Sequence, residues 1–230
     1  MSVLKGAISF GFPTIATPVL TLFMDVKTVV PILVPPNIAM DAYQMRRGGH
    51  LGATARRLSA LLIAGGIGTI IGTRLLIGLP SRVITLILGI FVLLFVVLNA
   101  TRFAPRVPAH WERWLSAPAG LIAGVVGGIT NVHGTTLVIY FYALGMEKPE
   151  FVRSIAFCFV VYKLVQLAAL TWYGGFPLSL VPATVGLTLV GLAGFFAGLG
   201  IQDRLDQRTF NRANLVLLAA LGTWLIIRVL

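Results

Sequence analysis

Two ionisable side chains sit where charge is expensive. Asp41 and Lys163 both interrupt apolar runs in a chain of which only 11% is charged. Ionisable groups inside membrane segments are usually paired or functional. Two chemistries fit this pair. They can form an ion pair that locks two parts of the molecule together, or they can divide the work, with Lys163 binding an anion and Asp41 taking up and releasing a proton. A pair that opens when substrate arrives combines the two.

A third polar centre is His133, in the stretch TNVHGTT. The plain reading is a hydrogen-bonded structural histidine. The alternative comes from its neighbours, since Asn131, Thr130, Thr135 and Thr136 can all donate hydrogen bonds. A half-helix beginning at Gly134 would also point backbone N–H groups at an anion. Imidazole titrates near neutrality, so proton coupling is a further option. Asn37 lies four residues before Asp41, and Gln166 three after Lys163, beside Tyr162. These are weaker candidates, because polar side chains also hold helices together in lipid. HExxH, GxSxG, Walker and Cys/His metal motifs are absent, which argues against an enzyme, a cofactor or a bound metal. The single cysteine, Cys158, lies in an apolar run and reads as an inert buried thiol.

The elements that must position these groups are membrane-length. Hydrophobic residues make up 57% of the 230, in eight segments: 3–24, 28–43, 58–79, 83–101, 117–146, 151–173, 178–201 and 210–229. A bilayer-spanning helix needs about 20 apolar residues. The expected fold is an all-α polytopic membrane protein with no soluble catalytic domain. The stretch RFAPRVPAHWERWLS is the most polar and divides the chain into a first repeat (1–101), a linker (102–116) and a second repeat (117–230). Its Trp111 and Trp114 suit a membrane interface.

Internal similarity supports two four-segment halves. The ladder Gly65, Gly68, Gly72 returns as Gly191, Gly194, Gly198. A shift of 122 places Gly6 on Gly128, Thr14 on Thr136 and Asp41 opposite Lys163. The ladders read first as close helix packing. Segments 3, 4, 7 and 8 read as ordinary spanning helices. Segments 1, 2 and 5 differ: Gly11, Pro13 and Pro18 interrupt the first, Pro31, Pro35 and Pro36 the second, and Gly127 to Gly134 the fifth. Broken backbone at membrane depth is tolerated only where protein buries it or it lines a cavity, so these segments are the candidates for the functional centre. With eight simple crossings the basic residues divide nine against eight, which orients nothing. If segments 1 and 5 enter and leave on one side, the division becomes twelve against five. The halves are then inverted repeats, the arrangement of many carriers. The formal charge of +11 lies in short loops beside apolar segments, which fits anionic membrane lipid and not nucleic acid.

At this point the pattern resembles a known family. GAISFGFPTIATPVLTLFM, RRGG, GGIGTIIGTRLLIGLPSRVITLILG, AGLIAGVVGGITNVHGTTLVIYFYALGMEKPEFVRS and GLAGFFAGLGIQDRLDQRTFNR are together similar, in order and spacing, to the TauE/SafE sulfite exporters. The resemblance covers essentially the whole chain. It implies an inner-membrane carrier of a small sulfur-containing anion of the sulfite, organosulfonate or thiosulfate class. By position, Gly6–Pro18 and Gly127–Thr136 would be the two repeated motifs; the first departs from the family in having Gly11, Phe12, Pro13 where adjacent glycines are usual. The expected substrate contacts are therefore Lys163, His133, Asn131, Thr135, Thr136, Asn37 and Gln166, with Asp41 in proton coupling or an ion pair. A channel-like anion pore and a non-transporting scaffold subunit are the alternatives, and a homo-oligomer is compatible with either.

Overall fold

A computed structural model describes residues 12–47, 51–101, 106–201 and 207–229. Among these residues every regular element is helical. The helices are α1 (Phe12–Thr21), α2 (Val26–Arg47), α3 (Leu51–Arg57), α4 (Ser59–Gly78), α5 (Ser81–Ala100), α6 (Glu112–Thr130), α7 (Gly134–Ala143), α8 (Lys148–Trp172), α9 (Val181–Ile201) and α10 (Gln207–Val229). Four stretches are long and apolar enough to cross a membrane: Ser59–Gly78, Ser81–Ala100, Pro149–Trp172 and Leu178–Ala197. Their outer faces carry exposed Ile63, Ile67, Ile71, Ile90, Leu189 and Val190. Helices apolar on the outside as well as the inside suit lipid. Segments 3, 4, 6 and 7 of the sequence are thus apolar spans, and segment 8 lies within α10, whose apolar part Asn214–Val229 is shorter.

Helix α6 begins at Glu112, inside the polar stretch 102–116. An acidic residue in a first turn complements the positive end of the helix. Glu112 also holds Arg57, whose Nε donates to Glu112 Oε1 at 2.8 Å while Nη1 reaches Glu150 on α8. That hydrogen bond to Glu112 raises the Arg57 guanidinium above its ordinary value, against the opposing effect of burial.

The glycine ladder of α4 packs on α6. A Cβ at Gly128 would lie 2.6 Å from the Thr69 carbonyl and 2.9 Å from the Gly72 Cα, and one at Gly72 3.0 Å from the Gly128 Cα. The two backbones are in contact, as small residues permit in lipid. On α9, Gly191 is buried; the side-chain surroundings of Gly198 lie outside the described residues, as do Gly6 and Gly11.

Hydrogen bonds at the helix ends show which ends share a face. At the Arg57 end lie the starts of α4, α6 and α8, with the end of α7: the Val107 N–H donates to the Ala143 carbonyl at 2.8 Å, and Tyr140 Oη is 2.6 Å from Ser116 Oγ. Segment 5 therefore runs out along α6 and returns along α7 to the end where it began. At the opposite end Lys27 Nζ donates to the Ile77 carbonyl at 2.9 Å, and Arg228 Nη1 to the Leu22 carbonyl at 3.0 Å. This end gathers the end of α1, the start of α2, the end of α4 and the end of α10. Helix α2 thus starts at one face and α8 at the other.

A candidate anion site at the break in segment 5

Segment 5 breaks because Asn131 leaves the helix. Its φ of 67° places it in the left-handed region, where Asn is among the few residues tolerated. Its N–H still bonds the Gly127 carbonyl at 2.7 Å. Val132 and His133 then turn the chain into α7, which runs ten residues from Gly134. The break exposes two kinds of orphan backbone group: carbonyls at the end of α6 and N–H groups at the start of α7.

The carbonyl end is satisfied by α8. Lys163 Nζ donates to the Asn131 carbonyl at 3.0 Å, to Asn131 Oδ1, and to Gln166 Oε1 at 3.3 Å. Gln166 Nε2 donates to the carbonyls of Gly127 and Gly128 at 3.3 and 3.2 Å. A cation at a helix C-terminus is favoured by the helix dipole. Lys163 and Gln166, 1% and 0% exposed, therefore act together as a cap on α6.

The N–H end holds the unspent groups. His133 and Thr135 are 1% and 2% exposed, and neither ring nitrogen of His133 nor Thr135 Oγ1 has a hydrogen-bond partner among the described residues. The Asn131 backbone faces the ring outside hydrogen-bonding geometry, and the Lys163 charge is close enough to be felt there. The ring is clamped between Gly127, where a Cβ would overlap it, and the rings of Tyr162 and Phe159 at 5.6 and 6.4 Å. Tyr162 is in turn fixed by donating to the Leu61 carbonyl at 2.8 Å. Unpaired polar groups this deeply buried are costly, which makes the start of α7 the candidate site.

The first half reaches the same place through α1. Asn131 Nδ2 donates to Thr17 Oγ1 at 3.3 Å, and Thr14 Oγ1 lies 3.9 Å from the space a Gly134 side chain would take. Thr14 and Thr17 were not singled out from the sequence as contacts; their signal is the spacing 14, 17, 21, which puts three buried threonines on one helical face. Of the other sequence candidates, Thr136 is half-buried beside Thr135. Asn37 Nδ2 donates to the Leu33 carbonyl at 2.9 Å on α2, where Pro36 and Pro35 withdraw two backbone donors. Asp41 is buried one turn further along α2, which packs against α8. Among the described residues no cluster of His, Cys, Asp or Glu could hold a metal ion.

A family model described as Sulfite exporter TauE/SafE matches residues 1–225. The chain belongs to this family. No curated protein and no solved structure matches it. TauE/SafE proteins are transporters, and membership together with the apolar helices makes this a multi-pass membrane protein of the sulfite and anion exporter type. The break between α6 and α7 falls within the match, in the stretch that carried the resemblance.

Proposed function

We propose that the protein is a secondary transporter that carries a small sulfur-containing anion, of the sulfite, organosulfonate or thiosulfate class, across the cytoplasmic membrane. The observation that carries this reading is the unpartnered pair His133 and Thr135 at the buried start of α7. An oxyanion there meets the α7 N–H groups, one hydroxyl and one imidazole, with the Lys163 ammonium adding positive potential from the far side of the break. Lys163, Asn131 and Gln166 set the shape of the turn, Thr136 extends the hydroxyl surface, and Asn37 and Asp41 on α2 complete the site from the first half. Asp41 takes the proton-coupling role.

The halves are inverted repeats in this reading. Support comes from the helix limits: Thr21 and Ala143 end α1 and α7, Val26 and Lys148 start α2 and α8, and each pair differs by 122. Equivalent helices α2 and α8 start at opposite faces, which is the sense an inverted repeat requires. The Arg57 face, with Arg46, Arg56, Arg106, Arg113 and Arg153, is assigned to the cytoplasm. The other face has Lys27, Arg74, Arg82 and Arg228.

The test is thermal stabilisation of the purified protein by sulfite, thiosulfate, sulfoacetate, taurine, sulfate, acetate and chloride. A ligand at about 100 times its Kd adds roughly 2.7 kcal/mol. A shift selective for a sulfur anion, lost in both His133→Ala and Thr135→Val, is expected. Stabilisation that survives both substitutions would remove the α7 start from the site.

A further inference from the structure

Gly134, the first residue of α7, is buried, and neither packing nor backbone conformation requires glycine there. At the buried glycines of α4 and α6 a Cβ would come within 2.1 to 2.6 Å of a neighbouring atom. Gly145 and Gly174 adopt positive φ, which favours glycine. Gly134 belongs to neither group. Its φ is not positive, and a Cβ would lie 3.5 Å from Phe159 Cζ and 3.9 Å from Thr14 Oγ1, both ordinary contact distances. Alanine would also favour the helix more than glycine does. What glycine leaves here is room for one methyl-sized group, bounded by α1, α7 and α8. An oxygen of an oxyanion fits a space of that size. We propose that this room receives an oxygen of the anion, so that Gly134 sets how closely the anion approaches the start of α7.

The neighbours of this room point to a ligand. His133 and Thr135 flank Gly134 in the chain, and both are buried with polar atoms that have no hydrogen-bond partner among the described residues. A helical Cβ tilts toward the N-terminus. At the first helical position it would therefore project into the space in front of the free N–H groups. The Thr14 hydroxyl faces the same space from the first half. The inference also explains why one of two equivalent helix starts is chosen. Helix α1 starts at Phe12 and α7 at Gly134, 122 residues apart. At that shift Phe12 stands opposite Gly134, Pro13 opposite Thr135 and Gly11 opposite His133. The start of α1 thus lacks the glycine, the hydroxyl and the imidazole, and Pro13 has no N–H to offer. The first half contributes Thr14 as a wall, and the protein holds one anion here.

This role for Gly134 rests on the anion site of the reading above. The experiment measures, on the purified protein, the melting temperature without ligand and the Kd for sulfite, thiosulfate and sulfoacetate by calorimetric titration. Gly134→Ala is expected to melt at or above the unaltered protein and to raise the Kd about tenfold or more, the loss of one charge-assisted contact. Thr14→Val, which keeps the shape and removes the hydroxyl, should also raise it; an unchanged Kd would remove α1 from the wall. Gly66→Ala adds a methyl without overlap on the far side of the ladder and should leave the Kd as it is. If Gly134→Ala melts well below the unaltered protein, the glycine serves packing and the inference is overturned. If Gly134→Ala is stable and binds as before, no part of the anion enters this room; the inference is overturned, and His133→Ala and Thr135→Val still decide the site by themselves. If the unaltered protein binds none of the three anions, the reading above fails and takes the role of Gly134 with it.

Discussion

At Lys163 the geometry divides two roles that the sequence left together. The ammonium donates to Asn131 twice, through its backbone and side-chain carbonyls, and to Gln166 once. In the proposed reading its contribution to an anion is a fixed positive potential and a held turn, and direct contact falls to His133, Thr135 and the start of α7. Lys163→Gln removes the charge and withdraws the donor that reaches the Asn131 backbone and side-chain carbonyls. An unsatisfied buried acceptor costs about 1–3 kcal/mol, so the melting temperature should fall together with anion stabilisation. In His133→Ala, by contrast, the apolar contacts to Tyr162 and Phe159 are lost but no hydrogen bond is, so anion response should vanish with the smaller loss of stability. Melting curves with and without sulfite separate the cases; equal destabilisation by the two substitutions would contradict the capping role. The identity of His133, Asn131 and Lys163 as unusual residues was legible in the sequence, because charge and amide groups stand out in apolar runs. Their division of labour was not, because it depends on which end of a broken helix each one faces.

At the scale of elements, the break in segment 5 and the glycine ladder form one device. Helix α6 ends at Thr130 while held close to α4, and that closeness requires glycine at Gly68, Gly72, Gly120, Gly124 and Gly128, where a Cβ would meet backbone atoms. Gly128→Ala places a methyl 2.6 Å from the Thr69 carbonyl, so the helices must separate. Overpacking of this kind costs typically about 1–3 kcal/mol, and it should also weaken anion response because Gly128 lends its carbonyl to Gln166. Gly66→Ala is the control: its nearest neighbour would be Val165 Cγ2 at 3.9 Å, and in a helix the substitution gains about 1 kcal/mol of propensity. The expected order of melting temperatures is Gly66→Ala at or above the unaltered protein, and Gly128→Ala below it. Gly128→Ala at full stability would mean the two backbones are not in contact. The ladder's packing role could be read from spacing four. Its partner could not, since contact between residues 68 and 125 is a matter of fold, and the partner is the same broken segment that carries the proposed site.

For the whole molecule, the decisive fact is that segment 5 returns to the end where it starts. The Val107–Ala143 hydrogen bond and the Arg57 bridges to Glu112 and Glu150 bring the start of α6, the end of α7 and the start of α8 to one face. This gives physical form to the uneven charge count in the sequence: Lys148 and Arg153 change sides relative to a simple crossing, and they join Arg46, Arg56, Arg57, Arg106 and Arg113. In the proposed orientation this face is cytoplasmic, the side that anionic lipid and the insertion machinery favour for basic loops. The same geometry puts the ends of α1, α4 and α10 on the other face. The arrangement is testable with single cysteines placed in a Cys158→Ala background, since Cys158 is the only cysteine and is fully buried. Cysteines at Arg106 and Glu147 should both react with a membrane-impermeant maleimide only in inside-out vesicles. Cysteines at Met24 and Ser81 should react only in right-side-out vesicles. If 106 and 147 were labelled from opposite sides, segment 5 would cross the membrane, its two ends would be about a bilayer apart, and the Val107–Ala143 bond could not exist. The start of α7 would then be a kink within a spanning helix, with no blind end at which an anion could be held between two faces.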